Sequence, residues 1–108
     1  MPHTVLFAKE AREDLRGLHA YISKNDSQEN ANYVAREIVR AALTLRDYPN
    51  RGTHPPELLR MGNRSYRQIL FKPYRILYRI RANIVFIAVI ADGRRDMDFL
   101  LARRLLRS

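Results

Sequence analysis

The chain has 108 residues, no cysteine, 20 lysines and arginines against 11 aspartates and glutamates, and a formal net charge of +9. This length predicts one domain, residues 1–108, with its own core. The lack of thiols excludes a disulfide framework, a cysteine-ligated zinc and a cysteine nucleophile, and a reducing cytoplasm is the expected compartment. The longest apolar run, Ile84 to Ala91, is far shorter than the roughly 20 residues that cross a bilayer. Met1 to Ala8 lacks the features of a secretion signal, so we expect a soluble protein with no membrane partner.

The excess of basic over acidic charge lies entirely in the C-terminal half. Residues 1–59 carry equal numbers of basic and acidic side chains, whereas residues 60–108 carry twelve basic and three acidic ones. All but three of the basic residues are arginine, whose planar guanidinium pairs with carboxylate or phosphate through two hydrogen bonds. This distribution predicts a polyanion or an acidic protein segment as the partner.

The first half of the chain predicts a strand and two helices. Residues 3–7 are rich in β-formers, and a helix follows from about residue 9 to 24, with an apolar stripe at steps of three and four: Ala8, Ala11, Leu15, Leu18 and Ile22. Ser27 is the expected N-cap of the second helix. The stripe of that helix is Ala31, Val34, Ile38, Ala41, Leu45 and Tyr48. A short polar turn between the helices predicts an antiparallel helical hairpin.

The second half predicts a three-stranded meander and a final helix. Residues 49–52 end the second helix, and Pro55-Pro56 is expected to keep the following stretch extended. The strand-like segments are Ser65 to Phe71, Tyr74 to Arg81 and Asn83 to Ala91. The alternation in the second predicts one buried face and one face that is mainly guanidinium, and the uninterrupted third predicts a strand covered on both faces. A helix from Asp96 to Arg107, capped by Asp96, completes the chain.

Strands joined by tight turns run antiparallel, so this order of elements predicts an α+β fold. We expect the helical hairpin to pack on one face of a mostly antiparallel sheet, with a short C-terminal helix.

The sequence offers little conventional catalytic chemistry. His3, His19 and His54 are scattered with no spacing that pairs them on one element, so no metal site is expected. There is no glycine-rich phosphate loop and no serine in a G-x-S-x-G setting. We therefore predict no catalytic residue and no cofactor.

The arginines of the predicted sheet are the main candidate functional groups. Arg75 and Arg79 alternate with the buried positions of one strand, and Arg67 lies on its neighbour. If all three share a face, their guanidiniums converge on one concave surface that binds phosphates or acidic side chains. Tyr66, Tyr74 and Tyr78 offer rings that can stack on bases, but tyrosine at alternating strand positions is more often in the core, which is the expectation here.

Motifs distributed over nearly the whole chain carry a family resemblance. They are Phe7, Ala11, Asp14-Leu15, Tyr21-Ile22, Ala31, Tyr33-Val34, Pro49, Gly52, Pro56-Glu57-Leu58, Tyr66-Arg67, the strand Pro73 to Ile80 and the segment Asp92 to Asp96. In this order they resemble the ParE branch of the RelE/ParE toxin superfamily. One departure is Ala8, where similar chains often have Thr or Ser to cap the first helix.

The resemblance implies a small toxin that is neutralised by the C-terminal segment of a cognate, ParD-like antitoxin. ParE-type members poison DNA gyrase, whereas RelE-type members cut mRNA in the ribosome and typically place a Tyr or His after the last strand. Residues 92–101 contain neither, which favours gyrase as the target. The alternatives are a RelE-like mRNA endonuclease and an inactive member that only binds its antitoxin. The candidate target-binding residues are Arg67, Arg75, Arg79, Arg94 and Arg95.

Overall fold

The computed structural model describes residues 2–106 and contains the predicted succession of elements. Arg107, which the sequence assigns to the last helix, lies outside the described residues. The elements are β1 (Thr4–Phe7), α1 (Lys9–Asn25), α2 (Gln28–Leu43), a 3₁₀ turn (Thr44–Arg46), α3 (Pro56–Arg60), β2 (Arg67–Phe71), β3 (Tyr74–Arg81), β4 (Ile84–Asp92) and α4 (Met97–Leu105). None of the helices in this part of the chain is both long and apolar enough to cross a membrane.

The four strands form one mixed sheet in the order β1-β4-β3-β2. The segment β2-β3-β4 is the predicted antiparallel meander, and β1 pairs in parallel with β4, beginning at Thr4 opposite Ile84. The α+β fold with a mostly antiparallel sheet is therefore confirmed. The helices α1, α2 and α3 link β1 to the meander, and the whole path from β1 to β4 forms the long connection that a parallel pair requires.

The helical hairpin covers one face of the sheet, which we call the hairpin face. Its core combines both helical stripes with alternating strand residues: Ala11, Ile22, Ala31, Val34, Ile38, Ala42, Leu45, Ile69, Ile76, Tyr78, Val85, Ile87 and Ile90. Ser27 caps α2 by accepting a hydrogen bond from the Asn30 amide at 2.9 Å. Ala8 makes no side-chain cap for α1. The predicted stripe of α1 is its buried side from Ala11 to Ile22, whereas Ala8, also assigned to that stripe, lies before the helix and is exposed.

The second helix ends earlier than its stripe suggests. The chain tightens into a 3₁₀ turn after Leu43, and the Thr44 hydroxyl donates to the Ala41 carbonyl at 2.6 Å. This turn buries Leu45 but leaves Tyr48 68% exposed. The prediction that Tyr48 continues the apolar stripe is wrong, because a side chain that bonds the preceding turn competes with the helical ladder and changes its pitch.

The connection after α2 contains a helix that the sequence pattern does not predict. Pro55 is extended, but Pro56 opens the one-turn helix α3. Proline is tolerated at the first helical position because its missing N–H would have no partner there. The expectation of an extended chain after Pro55-Pro56 is therefore wrong, and the turn instead buries Leu58 against the sheet.

The opposite face of the sheet, which we call the second face, is only half covered. Helices α3 and α4 build a smaller core there with Leu58, Leu77, Val89, Ala91, Met97, Leu100 and Leu101. A bulge in β4 makes Ala88 an extra residue, since Tyr78 pairs with Ile87 and Leu77 with Val89. As predicted, β4 is covered on both faces along much of its length. Asp96 caps α4 by accepting from the Phe99 amide at 3.1 Å.

Candidate functional site

Arg75 lies on the second face, and its guanidinium is engaged inside the molecule. It donates to both carboxylate oxygens of Glu57 at 2.7 and 2.8 Å and to Gln68 Oε1 at 2.7 Å. The Arg75 side chain is 11% exposed and that of Glu57 is 14% exposed. The hydrogen bond from Arg75 is the main cause of a Glu57 pKa below its ordinary value. Arg75 thus fastens α3 to the sheet.

Arg67 lies on the hairpin face, because it pairs with Tyr78 across the sheet and paired residues project to the same side. Its guanidinium donates to the Gly52 carbonyl at 2.8 Å. The buried Tyr78 hydroxyl donates to the Pro49 carbonyl at 2.7 Å and accepts from the Gly52 amide at 3.0 Å. A Cβ at Gly52 would lie 2.6 Å from that hydroxyl, so this approach requires glycine. Residues 49–52 are therefore pinned to β2 and β3.

Arg79 lies on the second face with Arg75, but it has different surroundings. Its guanidinium carbon lies 5.9 Å from the centre of the Phe86 ring, a cation–π distance. Among the described residues, no carboxylate forms an ion pair with Arg79, Arg67 or Arg64. None of the three is neutralised by a carboxylate there, although Nη1 of Arg67 already donates to the Gly52 and Asn50 carbonyls at 2.8 and 3.4 Å.

The same three arginines line a depression of about 190 Å³ at the edge of the sheet. We call it the edge pocket, and its lining is His54, Arg64, Ser65, Arg67, Tyr78, Arg79 and Ile80. It exists because β2 begins opposite Tyr78, so the last residues of β3 have no neighbour on that side. Arg67 and Arg79 reach it from opposite faces of the sheet, since an open edge is accessible to both.

His54 was not among the predicted site residues, and its ring is oriented by the chain. His54 Nδ1 lies 3.0 Å from the Tyr66 carbonyl oxygen. A carbonyl can only accept, so the proton of the neutral ring is assigned to Nδ1, and Nε2 is left as an acceptor. A lone histidine in a long connection gives no sequence signal of this placement. Arg64 was missed as well, although its position in the basic half was a weak indication.

Arg94 and Arg95 lie at the other end of the meander, beside a groove of about 490 Å³ between α1 and the end of β4. Its walls are Glu13, Asp14, Gly17, Leu18, Tyr21, Ile90, Ala91, Asp92, Arg94 and Arg95. Arg94 is 75% exposed and donates to Asp92 at 2.6 and 2.9 Å. This hydrogen bond is the main cause of a lowered Asp92 pKa. We call this region the terminal groove.

The structure does not bring the five predicted arginines together, because two lie in each of two regions and Arg75 lies between them. Asp92, two residues before Arg94 in the chain, pairs with Tyr74 at one end of β3, and Arg79 is five residues further along. At about 3.4 Å per residue this is a separation of roughly 17 Å along the strand. Arg67 and Arg79 line the edge pocket, Arg94 and Arg95 line the terminal groove, and Arg75 lies between them, bound to Glu57.

One further cluster joins the helices to the bulged strand. Asp14 accepts from the Ile90 amide at 3.0 Å and from Arg104 at 2.9 and 3.0 Å, and Arg104 also donates to the Ala88 carbonyl at 2.9 Å. The hydrogen bond with Asp14 is the main cause of a raised Arg104 pKa. These side chains bond backbone groups beside the bulge, so the cluster is structural. Within residues 2–106, no three His, Asp or Glu side chains are grouped so as to hold a metal ion.

Comparison with solved structures defines the class of fold. A chain of the chromosomal ParDE TA system from P. aeruginosa superposes with a TM-score of 0.70 and 17% identity, covering 83% of this chain and 95% of that one. A chain of the RelBE2 toxin–antitoxin complex from Mycobacterium tuberculosis gives 0.63 and 25%, covering 85% and 92%. A free RelE toxin variant from E. coli gives 0.63 and 12%, covering 97% and 99%. The architecture is therefore the RelE/ParE fold.

The family model described as "ParE toxin of type II toxin-antitoxin system, parDE" matches residues 5–97. The chain belongs to this ParE toxin family. No curated protein sequence matches it.

Proposed function

We propose that this ParE-family toxin inhibits DNA gyrase by stalling its complex with cleaved DNA, without catalysing a reaction of its own. The match of the ParE toxin family over residues 5–97 carries the proposal. The segment from Asp92 to Leu101 supports it, because it contains neither the Tyr nor the His that RelE-like ribonucleases typically place after the last strand.

The proposed target-binding surface consists of the arginines that face solvent or the two depressions. Arg94 and Arg95 are exposed beside the terminal groove, and Arg67 and Arg79 line the edge pocket. Arg75 contributes indirectly, as a positioning residue that holds α3 against the sheet. Guanidiniums with access to solvent suit acidic patches or nucleic-acid phosphates on a large partner.

The proposal is tested by incubating the purified toxin with gyrase and relaxed plasmid. We expect supercoiling to stop and cleaved DNA to accumulate, while ribosome-bound mRNA in a translation extract stays intact. The double variant Arg94→Ala/Arg95→Ala should inhibit several-fold less while melting like the wild type. Arg36→Ala, which removes one exposed positive charge from α2, serves as the control and should inhibit fully.

Two results would contradict gyrase inhibition. Codon-specific mRNA cleavage with unaffected gyrase would establish the RelE-like alternative. The similarity to a chain of the RelBE2 complex is the observation that favours testing this alternative. A folded protein that binds an antitoxin but affects neither gyrase, ribosome nor growth would be the inactive alternative.

We further propose that a ParD-like antitoxin neutralises the toxin. The similar P. aeruginosa and M. tuberculosis structures are toxin–antitoxin systems, and the excess of twelve basic over three acidic residues after residue 59 suits an acidic, amphipathic segment that orders on binding. Its association rate should fall as salt rises, because charge steers encounter more than it sets final affinity. Association that is insensitive to salt would contradict this electrostatic account.

A further inference from the structure

Gly17 lies in the middle of α1, where glycine lowers the stability of a helix. Only proline is less favourable in a helix interior, because glycine gives up the most backbone freedom on folding. Apart from the backbone of its own helix and its chain neighbours, a Cβ at Gly17 would meet no atom within 4 Å among the described residues. No close approach inside the described fold therefore requires glycine at this position.

The other three of the four glycines each have a reason within the fold. A Cβ would lie 2.6 Å from a tyrosine hydroxyl at Gly52 and 2.8 Å from a side-chain carbon at Gly93. Gly62 has a φ of +78°, a backbone conformation that other residues rarely adopt. Gly17 has no such reason, which favours a role for it in the approach of another molecule.

Gly17 borders the terminal groove, whose volume is about 490 Å³. Leu18 and Tyr21 border the groove on α1, and Ile90 and Ala91 border it on β4. Tyr21 is 67% exposed, so part of this lining is uncovered in the described fold. Because glycine has no side chain, the α1 backbone is accessible from the groove. The groove can therefore admit a segment that lies directly against the helix.

The charged groups around the groove define the chemistry of its occupant. The carboxylates of Asp14 and Asp92 are already bonded within the fold. Within residues 2–106, Glu13 and Arg95 form no ion pair, and Arg94 stays 75% exposed beside Asp92. Charge complementarity thus favours a segment that carries a carboxylate where it meets the two arginines and none where it meets Glu13.

We propose that an apolar segment of gyrase lies in the terminal groove against α1 at Gly17, with a carboxylate of that segment bound by Arg94 and Arg95. This inference rests on the proposed gyrase inhibition, and it adds an apolar half to a contact assigned so far to arginines. Gyrase is the occupant because the groove is continuous with these two exposed arginines. A buried apolar centre beside a charged rim is the usual arrangement of a protein interface.

The proposal predicts that filling the space at Gly17 has opposite effects on stability and on binding. Gly17→Ala should melt a few degrees higher than the wild type, and Gly17→Leu should melt no lower, because both are better helix formers. The toxin concentration for half-inhibition of gyrase supercoiling should rise about threefold for Gly17→Ala and at least about tenfold for Gly17→Leu, because the larger side chain fills the groove. Binding of fluorescently labelled toxin to gyrase should weaken in the same order.

Ala20→Gly is the matched control, because it makes the reverse exchange at an exposed position of the same helix outside the groove. It should lower the melting temperature by a few degrees and still inhibit gyrase fully. Stability and inhibition then change independently, so a change in folding does not explain the loss. If Gly17→Leu fails to fold, Gly17→Ala and Ala20→Gly still provide the test.

A combined variant tests whether one segment makes both contacts. Gly17→Leu joined to Arg94→Ala/Arg95→Ala should lose less inhibition than the product of the two separate losses, because one displaced segment forfeits the groove and the arginines together. A loss equal to that product would place the two contacts on separate segments and contradict the proposal.

Four further results would overturn the inference. Equal inhibition by the wild type and folded Gly17→Leu would refute the groove while leaving gyrase inhibition in place. Full inhibition by Gly17→Leu together with lost antitoxin association would assign the groove to the antitoxin. Lower melting temperatures of both Gly17 variants would give this glycine a reason inside the fold. A wild-type toxin that neither binds nor inhibits gyrase would refute the proposed function and, with it, this occupant.

Discussion

Replacing Arg75 with alanine should destabilise the fold rather than remove a target contact. The change deletes two hydrogen bonds to Glu57 and one to Gln68, all between 2.7 and 2.8 Å. It leaves the Glu57 carboxylate, only 14% exposed, without its cation. Exposed ion pairs contribute about 0–1 kcal/mol, and breaking a fully buried pair costs about 3–5 kcal/mol.

The Arg75–Glu57 pair lies between these limits, at the rim of the second-face core. We therefore expect Arg75→Ala to lower the free energy of unfolding by about 2–3 kcal/mol, a substantial part of the roughly 5–15 kcal/mol typical of a domain. Urea denaturation followed by circular dichroism measures this loss. Arg79→Ala is the control, because its guanidinium has no carboxylate partner among the described residues, and it should change stability by less than about 0.5 kcal/mol.

The pH dependence tests whether Glu57 is responsible. The folded-state pKa of Glu57 is lowered from an ordinary value of 4.5, mainly by the Arg75 hydrogen bond. The stabilisation is therefore fully present above that ordinary value and is lost as the pH falls through the lowered pKa. The stability difference between wild type and Arg75→Ala should shrink over the same window. An Arg75→Ala protein that is as stable as the wild type but no longer toxic would refute this reasoning and make Arg75 a direct contact.

Three other substitutions test the packing of the core, the attachment of residues 49–52 to the sheet, and the backbone strain at Ala82. Ile76→Ala should cost about 2–5 kcal/mol in urea denaturation, because this side chain is fully buried under the helical hairpin. Tyr78→Phe should cost about 1–3 kcal/mol and increase amide exchange of Gly52, because the buried hydroxyl bonds Pro49 and Gly52. Ala82→Gly should stabilise the protein by about 0.5–1 kcal/mol in thermal melts, because Ala82 has a φ of +55°; unchanged or lower melting temperatures would argue against strain there.

The architecture could be predicted where one periodicity dominates a segment. The stripe through Val34 and Ile38 identifies the buried side of α2, and the alternation of Ile76 with Arg75 identifies the two faces of β3. These patterns work because burial of apolar area is the largest favourable contribution and repeats with the geometry of the element. The same logic predicts a doubly covered β4, although it gives no indication that α3 and α4 form the second layer.

Features that depend on local hydrogen bonding could not be predicted from the periodic patterns. The end of α2 depends on the Thr44 hydroxyl, and α3 depends on Pro56 occupying a first helical position. The bulge at Ala88 shifts the β4 pattern by one residue, which an apolar run without polar markers cannot reveal. Each is a choice between backbone conformations of similar energy that tertiary contacts decide.

The roles of the arginines could be assigned only from the register of the sheet. Arg67 faces the hairpin because it pairs with Tyr78, and no property of its own strand specified that pairing. Arg75 and Arg79 share a face, yet Glu57 reaches only Arg75 because α3 brings it there. Arg94 stays 75% exposed although it pairs with Asp92, whereas Arg75 is only 11% exposed against Glu57, so the availability of an arginine to a target depends on how the tertiary structure buries it. The same reasoning applies to the edge pocket. Arg64, Arg79 and His54 come from separate segments, and they meet where β2 begins opposite Tyr78, so that the β3 residues after Tyr78 have no partner in β2.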